Sequence, residues 1–175
     1  MKTLDIKGSV IDVGGLFMPA KGRTKSWNVD MYHILDIKEN RNGVKADVVV
    51  DLNTWRQIQH GTHYDNAFCI EVTDHFWNPV RAFQHINEFL KAGGKLYLSS
   101  NFLFPHHTGF DCMRYTITGL NKILHETGFR VLSTTPRFAV DEGLLEAMQK
   151  ESKVVYHPGE IGYMIVAEKI NYDER

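Results

Sequence analysis

The chain has 175 residues, 43% of them hydrophobic and 23% charged, and a formal net charge of −1. That is the length and composition of one globular domain with one core, and it excludes a disordered chain. The near-neutral balance gives no electrostatic footprint for nucleic acid or an anionic membrane, and no apolar run approaches the ~18 residues that span a bilayer.

The basic run Lys21, Arg23, Lys25 reads as a solvated loop. Two cysteines, Cys69 and Cys112, make no disulfide framework, so a reducing compartment is expected. Residues 1–13 contain Asp5 and Asp12 and no long apolar core, so they do not read as a signal peptide, and a cytoplasmic location follows as the expectation. With no repeat and no Pro-, Gly- or Ser-rich linker, residues 1–175 are expected to form a single domain.

Seven short apolar runs stand out in chain order. They are Ser9–Val13, Tyr32–Ile37, Asp47–Val50, Ala67–Val72, Lys95–Ser99, Phe129–Ser133 and Ile161–Ala167. The first five are nearly continuously apolar, as strands buried on both faces of a parallel sheet are. Between them the spacing predicts a helix over 79–91, with Asn78 as N-cap, Pro79 in the first turn and Gly93 and Gly94 as the stop. Its apolar face would be Val80, Phe83, Ile86, Phe89 and Leu90. A second helix is expected over about 118–126, with Leu120, Ile123 and Leu124 inward and Gly128 ending it, and a third over about 141–150. The segment from Ile37 to Ala46 is short and polar, so that crossover is irregular. Pro19, Gly22 and Asn28 also interrupt any helix after the first strand. Trp77 is expected in the core, while Trp27 and Trp55 could be core or pocket wall.

Strands alternating with helices argue for a doubly wound α/β fold, whose ligands sit at the carboxyl ends of the strands. Acids and glycines recur there: Asp12-Val13-Gly14-Gly15, Asp36, Asp51-Leu52 and Glu71-Val72. A glycine pair allows close approach of a ligand to the backbone. A carboxylate at the second strand end can accept from both ribose hydroxyls, and one at the third can accept from the exocyclic amine of a base. The G-x-G-x-x-G phosphate loop is missing, so a nucleoside fits better than a dinucleotide. Each acid taken alone is more often a turn former or helix cap.

These pieces resemble the class I S-adenosylmethionine (SAM)-dependent methyltransferases, most closely the small type 11-like branch. The resemblance runs through 10–15, 34–37, 49–52 and 64–79, the block Phe89-Leu90-Lys91-Ala92-Gly93-Gly94-Lys95-Leu96-Tyr97-Leu98-Ser99, and Arg114-Tyr115-Thr116 to Phe129. It implies a three-layer α/β/α Rossmann-like domain with seven strands in the order 3-2-1-4-5-7-6, the seventh antiparallel. It implies SAM as cofactor, with Asp12, Gly14 and Gly15 beside its methionine part and Asp36 on the ribose. Ile37 would lie on the adenine, Asp51 and Leu52 at the adenine edge, and Glu71 and Val72 on the floor near the sulfonium. The family's alternating glycines are here an adjacent pair, and the N-terminal segment that covers the substrate in such enzymes is not expected.

Methyl transfer to an oxygen or nitrogen acceptor needs a base, and histidine is the usual one near neutral pH. His106 or His107, oriented by Asp111, is the candidate, in an aromatic and His-rich segment that suits a substrate pocket with Phe104 and Tyr115. His75 either joins that pocket or caps the next helix. These histidines serve equally well as polar loop groups. No four-ligand spacing for a metal is present. The expected activity is methyl transfer to a small-molecule acceptor, with a possible homodimer partner covering the open face. The competing expectation is a catalytically weak or inactive methyltransferase-like binding or regulatory module. An aminopropyltransferase is disfavoured, because no paired acids for a polyamine follow the fourth strand.

Overall fold

The structure is a computed structural model that describes residues 1–41, 43–59, 61–106, 109–138 and 160–170. Its strands in chain order are β1 (Asp5–Val13), β2 (Ser26–Asp36), β3 (Asn40–Arg41), β4 (Val44–Lys45), β5 (Val48–Val49), β6 (Tyr64–Cys69), β7 (Leu90–Asn101), β8 (Phe129–Phe138) and β9 (Glu160–Lys169). Its helices are α1 (Pro79–Phe89) and α2 (Ile117–Glu126). Seven strands form one sheet in the order β5-β2-β1-β6-β7-β9-β8. β1 pairs in parallel with β2 and β6, β2 with β5, and β6 with β7, whereas β9 runs antiparallel to both β7 and β8. This is the Rossmann-like seven-stranded α/β sheet with the expected strand order and its one reversed strand.

Side chains alternate across a strand, so each strand feeds two faces. On one face Ile11, Val13, Ala67, Cys69, Leu96, Leu98, Ile165 and Ala167 meet Phe83, Ile86 and Phe89 of α1 and Leu120 and Leu124 of α2. On the other, Ile6, Val10, Phe68 and Tyr97 are buried, with Trp27, Tyr32 and Val166 packed around them. Aromatic stacking is dense there: Phe68 and Tyr97 lie 5.0 Å apart and Trp27 meets Tyr32 edge-on at 5.5 Å. Trp27 is thus a wall of this second core. The expected third helix, 141–150, lies outside the described residues.

The elements follow their local chemistry with four corrections. Pro79 opens α1 and Asn78 is its N-cap residue as expected, but the Asn78 side chain makes no capping bond. Its side-chain amide donates to the Asn53 carbonyl, and its N–H donates to Asn53 Oδ1, so it ties two loops together instead. Val80 is exposed, because it falls on the flank of α1 opposite the face carried by Ala82, Ile86 and Phe89. Trp77 is 55% exposed; its neighbour Phe76 takes the core place, edge-on to Phe83 at 5.6 Å. β7 begins at Leu90, directly after α1, so the helix ends before the two glycines. α2 is capped by Thr116, whose Oγ1 accepts from the Gly119 N–H, and Gly128 follows it at φ +86°.

The crossovers on the β1–β2–β5 side are irregular, as Pro19 and the polar 37–46 segment imply. Residues 14–25 make turns and bends, and β3 and β4 form a small antiparallel hairpin between β2 and β5. No helix among the described residues is long and apolar enough to cross a membrane. Truncating fully buried Phe83 to Ala is expected to cost about 3–5 kcal/mol, read as a lower urea midpoint at unchanged m-value.

Candidate functional site

Parallel pairing forces β1, β2, β5, β6 and β7 to end along one edge of the sheet. Backbone bonds bind those ends together: Gly14 N–H donates to the Leu35 carbonyl at 2.8 Å, and Val50 N–H to the Asp36 carbonyl at 3.0 Å. The residues that follow the strands, Gly14-Gly15, Ile37, Asp51-Leu52 and Glu71-Val72, therefore share this edge with Asp12 and Asp36. The sequence places them at separate points, and the sheet brings them together.

Two of these positions require glycine. Gly14 has φ +74°, and a Cβ there would lie 2.4 Å from Cγ2 of Val72. A Cβ on Gly15 would lie 2.7 Å from the carboxyl carbon of Asp12. The glycine turn is thus packed between Val72 on one side and Asp12 on the other.

The acids occupy different environments. Asp12 is buried at 2% exposure, and its Oδ2 accepts from the Ala20 N–H and the Tyr32 hydroxyl. Burial pushes its carboxyl up to about 6, against the pull of those two bonds. Asp12 thereby folds the 14–20 loop back over the strands. Asp36 is half-buried, with Oδ1 accepting from the Lys38 N–H, and Ile37 beside it is 55% exposed. Asp51 is exposed, and its Oδ1 takes the backbone and side-chain N–H groups of Asn53 at 2.9 Å each. Leu52, expected at the edge, turns inward and joins the core at 3% exposure, leaving Asp51 as the exposed member of that pair.

Glu71 lies just past β6 and is the sole non-glycine residue with positive φ among the described residues, at +57°. That conformation costs an L-residue roughly 1–2 kcal/mol. Its N–H donates to Ser99 Oγ, its Oε1 accepts from Ser99 Oγ and an Arg137 guanidinium N–H at 2.5 Å, and its Oε2 accepts from Asn101 at 3.1 Å. Arg137 is a residue that the sequence reading missed. Ser99 and Asn101, polar groups following the apolar stretch Leu96–Leu98, were the available signal.

Val72 opens a single 3-10 turn, Thr73–His75. The turn is held from the segment after β7. Tyr115, buried at 5%, donates its hydroxyl to the Thr73 and Phe76 carbonyls, and the Cys112 and Met113 N–H groups donate to the Asp74 carbonyl. His75 Nδ1 is 2.9 Å from the Phe110 carbonyl, which can only accept, so Nδ1 carries the proton. Asp111 is clamped by both terminal nitrogens of Arg114, which also donates to the Phe104 carbonyl at 3.0 Å. Phe104 and His106 are exposed, and His107 lies outside the described residues. Among the described residues no three His, Cys, Asp or Glu side chains are grouped to hold a metal ion.

No family model matches the chain, and no curated protein matches it. Solved structures do. A SAM-dependent methyltransferase of Mesorhizobium loti superposes with TM-score 0.61 at 14% identity, over 96% of this chain and 94% of that one. The 1,6-didemethyltoxoflavin-N1-methyltransferase of Burkholderia thailandensis, solved with its substrate and S-adenosylhomocysteine, gives 0.61 at 12% identity, over 93% and 71%. The chain has the SAM-dependent methyltransferase fold. The [4+2]-cyclase SpnF also superposes, with TM-score 0.62 at 16% identity over 97% of this chain and 77% of that one, so this methyltransferase fold carries more than one chemistry.

Two predictions follow from the methyltransferase-fold edge. Asp12 holds its proton to about pH 6 when folded and to about 3.8 when unfolded, so the native state binds more protons within that window. Its contribution is full below pH ~4 and is lost as pH rises to ~6. The melting temperature of wild type minus Asp12→Asn should therefore fall by several degrees, as an order of magnitude, between pH 4 and 6.5; a flat difference would contradict the assignment. Tyr115→Phe should lower stability by ~1 kcal/mol through the two carbonyls it leaves, measured by urea unfolding.

Proposed function

We propose that the chain binds SAM along the carboxyl edge of β1, β2, β5 and β6 and transfers its methyl group to a small-molecule acceptor. The observation that carries this reading is the alignment of Asp36, exposed Ile37 and Asp51 on adjacent strand ends of a methyltransferase-type sheet. Those groups fit a nucleoside: carboxylates accept from ribose hydroxyls and an adenine amine, and an exposed aliphatic side chain covers a base face. The structures of similar fold include proteins named for SAM and one holding S-adenosylhomocysteine. When bound, SAM supplies a methyl group on a sulfonium.

The chain's own part is to orient and to move a proton. Positioning can remove roughly 7–11 kcal/mol of a barrier when the reacting atoms are held at near-attack distance. His106 or His107 is the proposed base, with His75 and Phe104 on the acceptor side of the edge, buried Tyr115 bracing the Thr73–His75 turn instead of lining the pocket, and Asp111 fixing that segment through Arg114. Proximity and a matched pKa let such a base add a further 10²–10⁴-fold, as an order of magnitude.

A second reading, a module that binds through this fold without turnover, is favoured by one feature. The carboxylates of Asp12 and Glu71 are both engaged by the protein's own donors.

Melting in the presence of S-adenosylhomocysteine separates binding from no binding, because a ligand at 100 times Kd stabilises by about 2.7 kcal/mol. A rise of several degrees is expected, and none at millimolar ligand would refute the SAM site. Asp36→Ala should weaken S-adenosylhomocysteine by about tenfold or more in calorimetry, the loss of one charge-assisted bond. The double variant His106→Ala, His107→Ala should keep that affinity and lose turnover; full turnover would remove both from the chemistry.

A further inference from the structure

We propose that Arg137 is a positioning residue: from β8 it clamps the turn after β6 and so sets the shape of the glycine turn after β1. The inference rests on the SAM reading of that edge, and it concerns Arg137, to which that reading assigns no role.

The geometry runs through four strands. In register, Arg137 of β8 stands opposite Gly162 of β9, and Gly162 stands opposite Asn101 of β7. Gly162 lacks a side chain where a Cβ would lie 2.4 Å from the Ser100 carbonyl oxygen, so β9 passes close against β7 at this point. The Arg137 guanidinium reaches past β9 to Asn101 Oδ1 at 3.3 Å and Glu71 Oε1 at 2.5 Å. With Ser99 and Asn101 it holds the carboxylate of a residue in a left-handed conformation that an L side chain disfavours. Such a conformation persists where the surroundings over-determine it.

The consequence passes down the backbone by one residue. Glu71 at φ +57° directs Val72 onto Gly14, whose Cα has room for it only without a Cβ. Val72 also opens the 3-10 turn that carries His75 and that Tyr115, Cys112 and Met113 hold from the other side. One cation on the seventh strand in sheet order thus holds the turn shared by the nucleoside end and the acceptor end. Arg137 and Glu71 are each one-third exposed, so the pair can be altered without opening the core.

The test is a cycle of Arg137→Met, Glu71→Gly and the double variant, with Arg137→Lys as the conservative change. Two readouts serve: S-adenosylhomocysteine affinity by calorimetry, and the amide resonances of Gly14 and Gly15 in the ligand-free protein. Arg137→Met is expected to weaken S-adenosylhomocysteine about tenfold and to shift both glycine amides, with Arg137→Lys intermediate. Glycine takes φ +57° without a clamp, so Glu71→Gly should leave the Gly14 and Gly15 amides near their wild-type positions, and adding Arg137→Met to it should shift them no further. Unmoved glycine amides in Arg137→Met overturn the proposal, as does an equal amide shift on adding Arg137→Met to wild type and to Glu71→Gly. If wild type itself fails to bind S-adenosylhomocysteine, the SAM reading falls, and the amide shifts still decide whether Arg137 sets the glycine turn.

Discussion

The parallel pairing of β1 with β2 on one side and β6 on the other is the constraint on which the candidate site depends. Val13 is registered with Leu35 and with Cys69, so the residues after three strands emerge side by side. The gap between β1 and β6 is closed by contact between the bare Cα of Gly14 and the Val72 side chain. A β-carbon at Gly14 would push the two strand ends apart or force Val72 out of place. The glycine is therefore a packing requirement as well as a conformational one.

Electrostatics along this edge is set by burial and by partners more than by the number of acids. Asp12 lies under the 14–20 loop and is pushed toward the protonated state; its work is to close that loop through Ala20 and Tyr32. Glu71 is balanced by Arg137 and two neutral donors. Asp36 and Asp51 stand nearer to water, bonded to N–H groups of their own turns. Four carboxylates at equivalent strand ends thus divide into two that shape the edge and two that stand nearer to water.

The irregular crossovers give the sheet its unequal faces. α1 and α2 lie against the face built on Ile11, Ala67 and Leu96, while the opposite face is filled by aromatics, Phe68 stacked on Tyr97 and Trp27 edge-on to Tyr32. Large flat side chains bury much area per residue, which lets turns and bends over residues 14–25 stand between β1 and β2 where a helix is the usual connector.

Much of this was legible in the sequence. Nearly continuous apolar runs such as Ala67–Ile70 and Lys95–Ser99 suit strands buried on both faces of a parallel sheet, and Pro79 and Gly128 mark helix ends by local chemistry alone. The acids at successive strand ends follow from the same pattern, because position relative to a strand end is a local property. What the sequence could not contain is distance between remote residues. That Arg137 meets Glu71, 66 residues away, depends on β9 folding back between β7 and β8 and on Gly162 leaving the space. That Trp77 is exposed and Phe76 buried depends on the direction in which the 3-10 turn leaves β6, a matter of one residue's rotation that apolar character alone does not encode. Local periodicity determined the main strands in chain order; only the tertiary structure decided which polar groups would face one another across them.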